Sequence, residues 1–159
     1  MRRSVLSLSL AATAACGPKP EYMEAMVDGV LWQAERAICL FHDGELEVHG
    51  HRATGSNTRR AIEVSYLATS TVGSFLLAEE GPRGFVLDQD AVGWDTYVGY
   101  ATTATVTGTV TVATFDLGAG RCGGAFAFTA VMVHNLHGDV VPDTIEVVDG
   151  TWDAELHAY

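Results

Sequence analysis

Positive charge is what this 159-residue sequence has least of. It carries 9 Lys and Arg against 20 Asp and Glu, for a formal net charge of −11. A surface that tracks nucleic-acid phosphates needs clustered Lys and Arg. Here only Arg2-Arg3 and Arg59-Arg60 are even paired, so nucleic acid is not an expected partner. No apolar run reaches the roughly 20 residues that a membrane-spanning helix needs. The short signatures of familiar chemistry are missing as well. There is no CxxC, HExxH, GxSxG elbow, P-loop or dinucleotide fingerprint. No clean internal repeat and no low-complexity tract follow Pro20.

What is present bounds the fold. The hydrophobic fraction of 48% is too high for a disordered chain. The length suits one packed domain and leaves no room for two ordinary ones. Seventeen Gly and a Thr-heavy second half point to turns and strands.

The first 20 residues read as an address. Arg2-Arg3 precede an apolar stretch from Val5 to Ala12, then the small residues Thr13-Ala14-Ala15, then Cys16. This is the layout of a secretory signal peptide. A Cys directly after small residues resembles the bacterial lipobox, in which that Cys is lipidated and becomes the mature N-terminus. Thr13 stands where the usual pattern has Leu. The alternative is an ordinary secretory cut near Ala15. The expected organisation is a signal peptide at 1–15, a lipidated Cys16 with a stiff tether at 16–22, and one domain at 23–159. Gly17 after the Cys, rather than Asp, makes the outer membrane the default destination. So acidic a body would be repelled by anionic headgroups, which leaves attachment to the lipid.

Cys39 and Cys122 remain. An exported compartment is oxidising, and two leftover thiols allow one intramolecular pairing. A Cys39–Cys122 bridge closes a long loop and stabilises by roughly 4 kcal/mol in the chain-entropy model. Two separate buried thiols are the alternative.

The body reads as short strands. Met23–Val27, Asp28-Gly29 and Val30–Gln33 have the layout of a hairpin, with Asp-Gly suited to a type I′ turn. Ala37–Phe41, His42-Asp43-Gly44 and Glu45–His51 repeat it. Alternation in Glu45–His49 implies one wet face and one dry face. Arg52–Arg60 reads as a polar loop and Asp88–Asp95 as another. Thr105–Thr114 is the clearest strand, with Val110 and Val112 on one face and Thr on the other. Ala125–Val133 follows, then Thr144–Val148, Asp149-Gly150 and Thr151–Leu156. About nine or ten strands at even spacing predict an all-β domain, an antiparallel β-sandwich or flattened barrel.

Four segments resemble a known family. Met26-Val27-Asp28-Gly29-Val30-Leu31-Trp32-Gln33-Ala34 comes first, then Gly108-Thr109-Val110-Thr111-Val112. Gly124-Ala125-Phe126-Ala127-Phe128-Thr129-Ala130 follows, and Asp149-Gly150-Thr151-Trp152 comes last. Their order is similar to that of small bacterial lipoproteins best known from Bacteroidota, the DUF6252 family of unknown function. The resemblance spans most of residues 24–156. It implies an all-β body on a lipid tether, and it implies no activity and no catalytic residue.

Candidate sites are weak. His49 and His51 lie two apart, so on a strand they share a face and could ligate one metal ion. Asp43, Glu47 and Asp139 could add carboxylates, and His134 and His137 are three apart. Solvent-exposed His at a strand end explains the same pattern, and no metal or other cofactor is expected. Asp88, Asp90 and Asp95 could form an irregular calcium loop, although Val92 and Gly99 stand where an EF-hand needs oxygen ligands. Trp94, Tyr97 and Tyr100 could stack on a sugar ring, or lie partly buried beneath a loop. Trp32, Phe126, Phe128 and Trp152 are most simply core.

The expectation is a cell-envelope lipoprotein whose β-rich body is a non-enzymatic binding or surface-structural module, a monomer on the periplasmic or the surface face. A carrier of a small apolar ligand or glycan is the second reading. A hydrolase using carboxylates is the third. The partners to expect are the membrane, through the lipid, and a glycan, a small apolar ligand or an envelope protein.

Overall fold

The computed structural model describes residues 21–55, 58–68, 72–90, 97–136 and 141–159. The signal-peptide expectation and Cys16 lie outside them. Among the described residues every regular element is a strand: β1 (Tyr22–Val27), β2 (Val30–Gln33), β3 (Arg36–His42), β4 (Glu45–Ala53), β5 (Thr58–Ala68) and β6 (Gly73–Leu77). β7 (Arg83–Asp90), β8 (Tyr97–Ala101), β9 (Gly108–Asp116), β10 (Arg121–Asn135) and β11 (Thr144–Ala158) complete the set.

The strands join in the order β2-β1-β11-β3-β4-β5-β7-β8-β10-β9-β6, and β10 also pairs with β11. That extra pairing closes β11, β3, β4, β5, β7, β8 and β10 into a ring. The fold is all-β as expected, and its ring closure accords with a β-sandwich or flattened barrel. β10 and β11, 15 residues each, are long enough to serve two layers. The first part of β11 pairs β1 and its end pairs β3. Likewise the first part of β10 pairs β9 and its end pairs β8. Closure removes most of the open edge that would otherwise recruit other chains.

One pairing is parallel, β3 with β11, where the sequence pattern predicted antiparallel pairing throughout. The reason is local. β1 runs antiparallel to β11, and β2 turns back along β1. No reversal separates β2 from β3. The Ala34 N–H still bonds to the Met23 carbonyl of the first layer, and the next N–H, that of Glu35, bonds to His51 on β4. The chain crosses between layers there without changing direction, so β3 meets β11 parallel.

Turn chemistry follows the residues. Asp28-Gly29 and Asp43-Gly44 both adopt positive φ, 48° and 76°, then 52° and 85°. That is the requirement of a two-residue type I′ hairpin. Asp149-Gly150 behaves differently. It lies inside β11, where the register to both β1 and β10 slips by a residue. Asp149 takes φ 53° as the bulge, and a Cβ on Gly150 would meet the Phe126 ring at 2.5 Å.

Two expected loops shrink. Arg52–Arg60 is mostly strand: β4 runs through Ala53 and β5 starts at Thr58. Bonds from the Thr54 N–H to the Thr58 carbonyl, and between their hydroxyls at 2.9 Å, hold the short link. Asp88–Asp90 likewise belongs to β7, paired to Thr58–Arg60. Polar residues at strand ends read as loop because composition carries no information about backbone pairing.

The interior is packed with side chains. Met23, Leu46, Val48, Ile62, Val64, Val86, Val110, Val112 and Trp152 are all at most 1% exposed. Burying each such side chain contributes roughly 1.5–3 kcal/mol. Trp32, Phe126, Phe128 and Trp152 are buried, as the strand patterns implied. Cys39 and Cys122 are joined in a disulfide, with Cα atoms 6.4 Å apart. Cys39 lies on β3 and Cys122 on β10, on either side of the end of β11, so the bridge ties the two layers where the ring bends.

Candidate functional site

The outer face of β7, β8 and β10 carries a groove, and register explains it. Val86 lies opposite Tyr100 and Ile62 on the inner face. Leu87 lies opposite Gly99, and Phe85 opposite Ala101, on the outer face. At its centre β8 therefore presents only Gly99 and Ala101 outward. Taller residues stand on both sides, Phe85 and Leu87 from β7, Val133 and His134 from β10. The low central row leaves an open concavity of about 490 Å3. Small-ligand sites span roughly 300–1,000 Å3. Glu63, Glu79, Arg83 and Gln89 add polar and charged groups to the rim. At one end the buried Thr102 accepts from the Gly84 N–H and donates to the Ala78 carbonyl, both at 3.2 Å, fixing the loop that closes the groove.

Glu63 leads to an acid–histidine cluster on the neighbouring strands. His49 Nδ1 lies 3.3 Å from Glu63, and His49 Nε2 lies 3.2 Å from Glu47. His42 approaches the other oxygen of Glu47 at 3.5 Å. Burial opposes charge on His49, yet hydrogen bonds and charge from Glu63 and Glu47 together outweigh it, and its pKa is raised. Burial likewise opposes charge on Glu63, but bonding to His49 lowers its pKa. The His49 ring is clamped between two carboxylates with both nitrogens engaged.

His51 shares the outer face with His49, as the spacing required. Its surroundings are opposite in sign. Burial first, then Arg59 and Arg36, lower its pKa. Among the described residues no group of three His, Cys, Asp or Glu is arranged to hold a metal ion. Asp43 sits in its turn, and Asp88 is committed to an ion pair. His134 is on the groove wall; His137, Asp139, Asp95 and the Asp90 side chain lie outside the description.

The three aromatic candidates separate. Trp94 falls outside the described residues. Tyr97 occupies the register position opposite Gln89 on β8. Tyr100 is 3% exposed and faces inward beside Val86, and burial, then the Asp88 charge, pushes its pKa up.

A second concavity opens at one end of the barrel, where turn 28–29 and the link from β4 to β5 lie. Arg60 and Asp88 are directly opposed there on the inner face. Arg60 Nε and Nη2 donate to the two carboxylate oxygens at 2.6 and 2.7 Å. Arg52 is opposite Arg60 on the next strand. Trp32 packs below, with Cη2 3.0 Å from where a Cβ on Gly50 would stand. The concavity is about 270 Å3, with Val27, Val30, Leu31 and Trp32 on its apolar side and Arg52, Thr54 and Arg60 on its polar side. Sequence reading missed Arg52, Arg60 and Glu63. The available signal was the pairing of Arg60 with an acid 28 residues away, which only sheet register reveals.

No known protein family, curated protein or solved structure matches the chain.

Proposed function

We propose that this chain is an exported, lipid-tethered module of the cell envelope that binds a small, largely apolar ligand without transforming it. The observation that carries the binding half is the 490 Å3 outer groove, floored by Gly99 and Ala101 and walled by Phe85, Leu87 and Val133. Apolar walls with a few polar groups on the rim are the usual make-up of a small-molecule site. The tether half rests on the lipobox-like run ending at Cys16 and on an order of motifs that resembles that of small lipoproteins.

Two features favour binding over carboxylate catalysis and over sugar stacking. A general acid needs a raised carboxyl pKa, and bonding to His49 lowers that of Glu63, a carboxylate on this rim. Tyr100 turns inward, so it offers no outward ring to a sugar.

Native mass spectrometry of the exported protein tests the reading. The expected result is an added mass that disappears on denaturation and is absent from Leu87→Glu, which places a charge on the groove wall. A bare chain mass in the parent, or the same added mass in Leu87→Glu, counts against the groove. Cys16→Ser should release the protein from the membrane fraction.

A further inference from the structure

We propose that the concavity at the barrel end is a separate site for a small organic carboxylate with a compact apolar body. The inference rests on charge and on unused donors, independently of the outer groove. In a chain of net charge −11, this end gathers two guanidinium groups on adjacent strands, directly opposite each other. Like charges in that position repel and need compensation. Arg60 has it from Asp88, through two short hydrogen bonds. Arg52 is exposed and has no ion-pair partner among the described residues. Its charge is available to an anion.

The second donor is Trp32. The residue is 5% exposed, and its Nε1–H is buried with no acceptor among the described residues. A buried unsatisfied donor is costly, and native structures rarely tolerate one without a purpose. The benzo end of the ring is seated over Gly50, and the ring forms part of the concavity's wall. Beside it, Val30 and Leu31 are 69% and 53% exposed on the edge strand β2. Exposed apolar side chains next to an unpaired cation and an unused N–H match an amphipathic anion. The carboxylate would take the Arg52 guanidinium, a strong charge-assisted contact. The Trp32 ring lines the same concavity, and its unused N–H is the donor assigned to the carboxylate's other oxygen. The apolar body would cover Val27, Val30 and Leu31. A volume of about 270 Å3 limits the ligand to something the size of a ring or a short chain.

Benzoate is the probe, with neutral benzamide as its control, read at the assigned Trp32 indole N–H resonance. The expected result is a benzoate shift that saturates by about 10 mM, with benzamide giving none. Arg52→Gln, at an exposed position, should fold normally and weaken benzoate roughly tenfold or more. Leu87→Glu, which disables the outer groove, should leave the titration unchanged, so the two sites fail separately. An unsaturated drift, an equal response to benzamide, or full affinity in Arg52→Gln would overturn the proposal.

Discussion

The Nε1–H of Trp152 donates to the Sγ of Cys122 over 3.2 Å, so the largest fully buried side chain is bonded to the disulfide. Around this contact the Phe126 ring lies tilted against Trp152, with centroids 6.0 Å apart. Phe41 of β3 meets Phe115 of β9 edge-on at 5.0 Å. The bridge thus does two things. It shortens the unfolded chain's freedom, and it fills a position in a packed aromatic layer.

Replacing both cysteines by Ala should therefore cost more than the loop term alone. The bridged residues are 83 apart in sequence, which gives about 4.5 kcal/mol in the chain-entropy model. The loss of the Trp152 bond should add about 1 kcal/mol. Urea midpoints of the parent and of the double variant measure the difference. A shift worth under about 2 kcal/mol would mean that the bridge adds little.

Stability should depend on pH through the clamp at His49. Its pKa is raised above 6.5, so its contribution is fully present below 6.5 and is lost as pH rises through the raised value. The pKa of Glu63 is lowered below 4.5, so its contribution is present above 4.5 and fades as pH falls through the lowered value. Together they favour the window between 4.5 and 6.5. The parent's urea midpoint should fall between about pH 5.5 and about pH 8.5, and His49→Gln should fall less. Equal slopes in the two proteins would show that general charge repulsion, and not this clamp, sets the dependence.

Gly50→Ala should be among the costliest single-methyl additions. The new Cβ would stand 2.5 Å from Met23 Sδ, 3.0 Å from Trp32 Cη2 and 3.2 Å from the Ala34 Cβ. Met23 can shift, but Trp32 and Ala34 are fixed at the point where the chain crosses between layers. Overpacking of this kind costs about 1–3 kcal/mol. Thermal unfolding should register it, and the Trp32 indole resonance should move. The same change at Gly44, where nothing lies within 4 Å, should be felt through its φ of 85° and leave that resonance in place.

Much of the fold was legible because it is local. Asp28-Gly29 and Asp43-Gly44 announce hairpins through the φ values their residues tolerate. Val110 and Val112 against Thr109 and Thr111 announce a half-buried strand through a period of two. The candidate sites were barely legible. His49 and His51 do share a face, as spacing dictates, but their opposite electrostatic settings come from Glu63 on β5 in one case and from Arg59 and Arg36 in the other. Glu63 and Arg60 carried no local signal, since an acid or base in an alternating strand looks like any solvated face.

The sequence by itself determined that this is an all-β chain, where its hairpins turn, and which aromatic side chains enter the core. Those properties follow from backbone preferences and burial over a few residues. Only the tertiary structure decided the parallel β3–β11 pair, the bulge at Asp149-Gly150, and the row of Gly99 and Ala101 that becomes a groove. It also decided that Cys39 meets Cys122 and that Arg60 meets Asp88, while Arg52 has no ion-pair partner among the described residues. Each of these depends on which strand lies beside which and in what register. That choice is made by packing the whole core at once, and no short stretch of sequence encodes it.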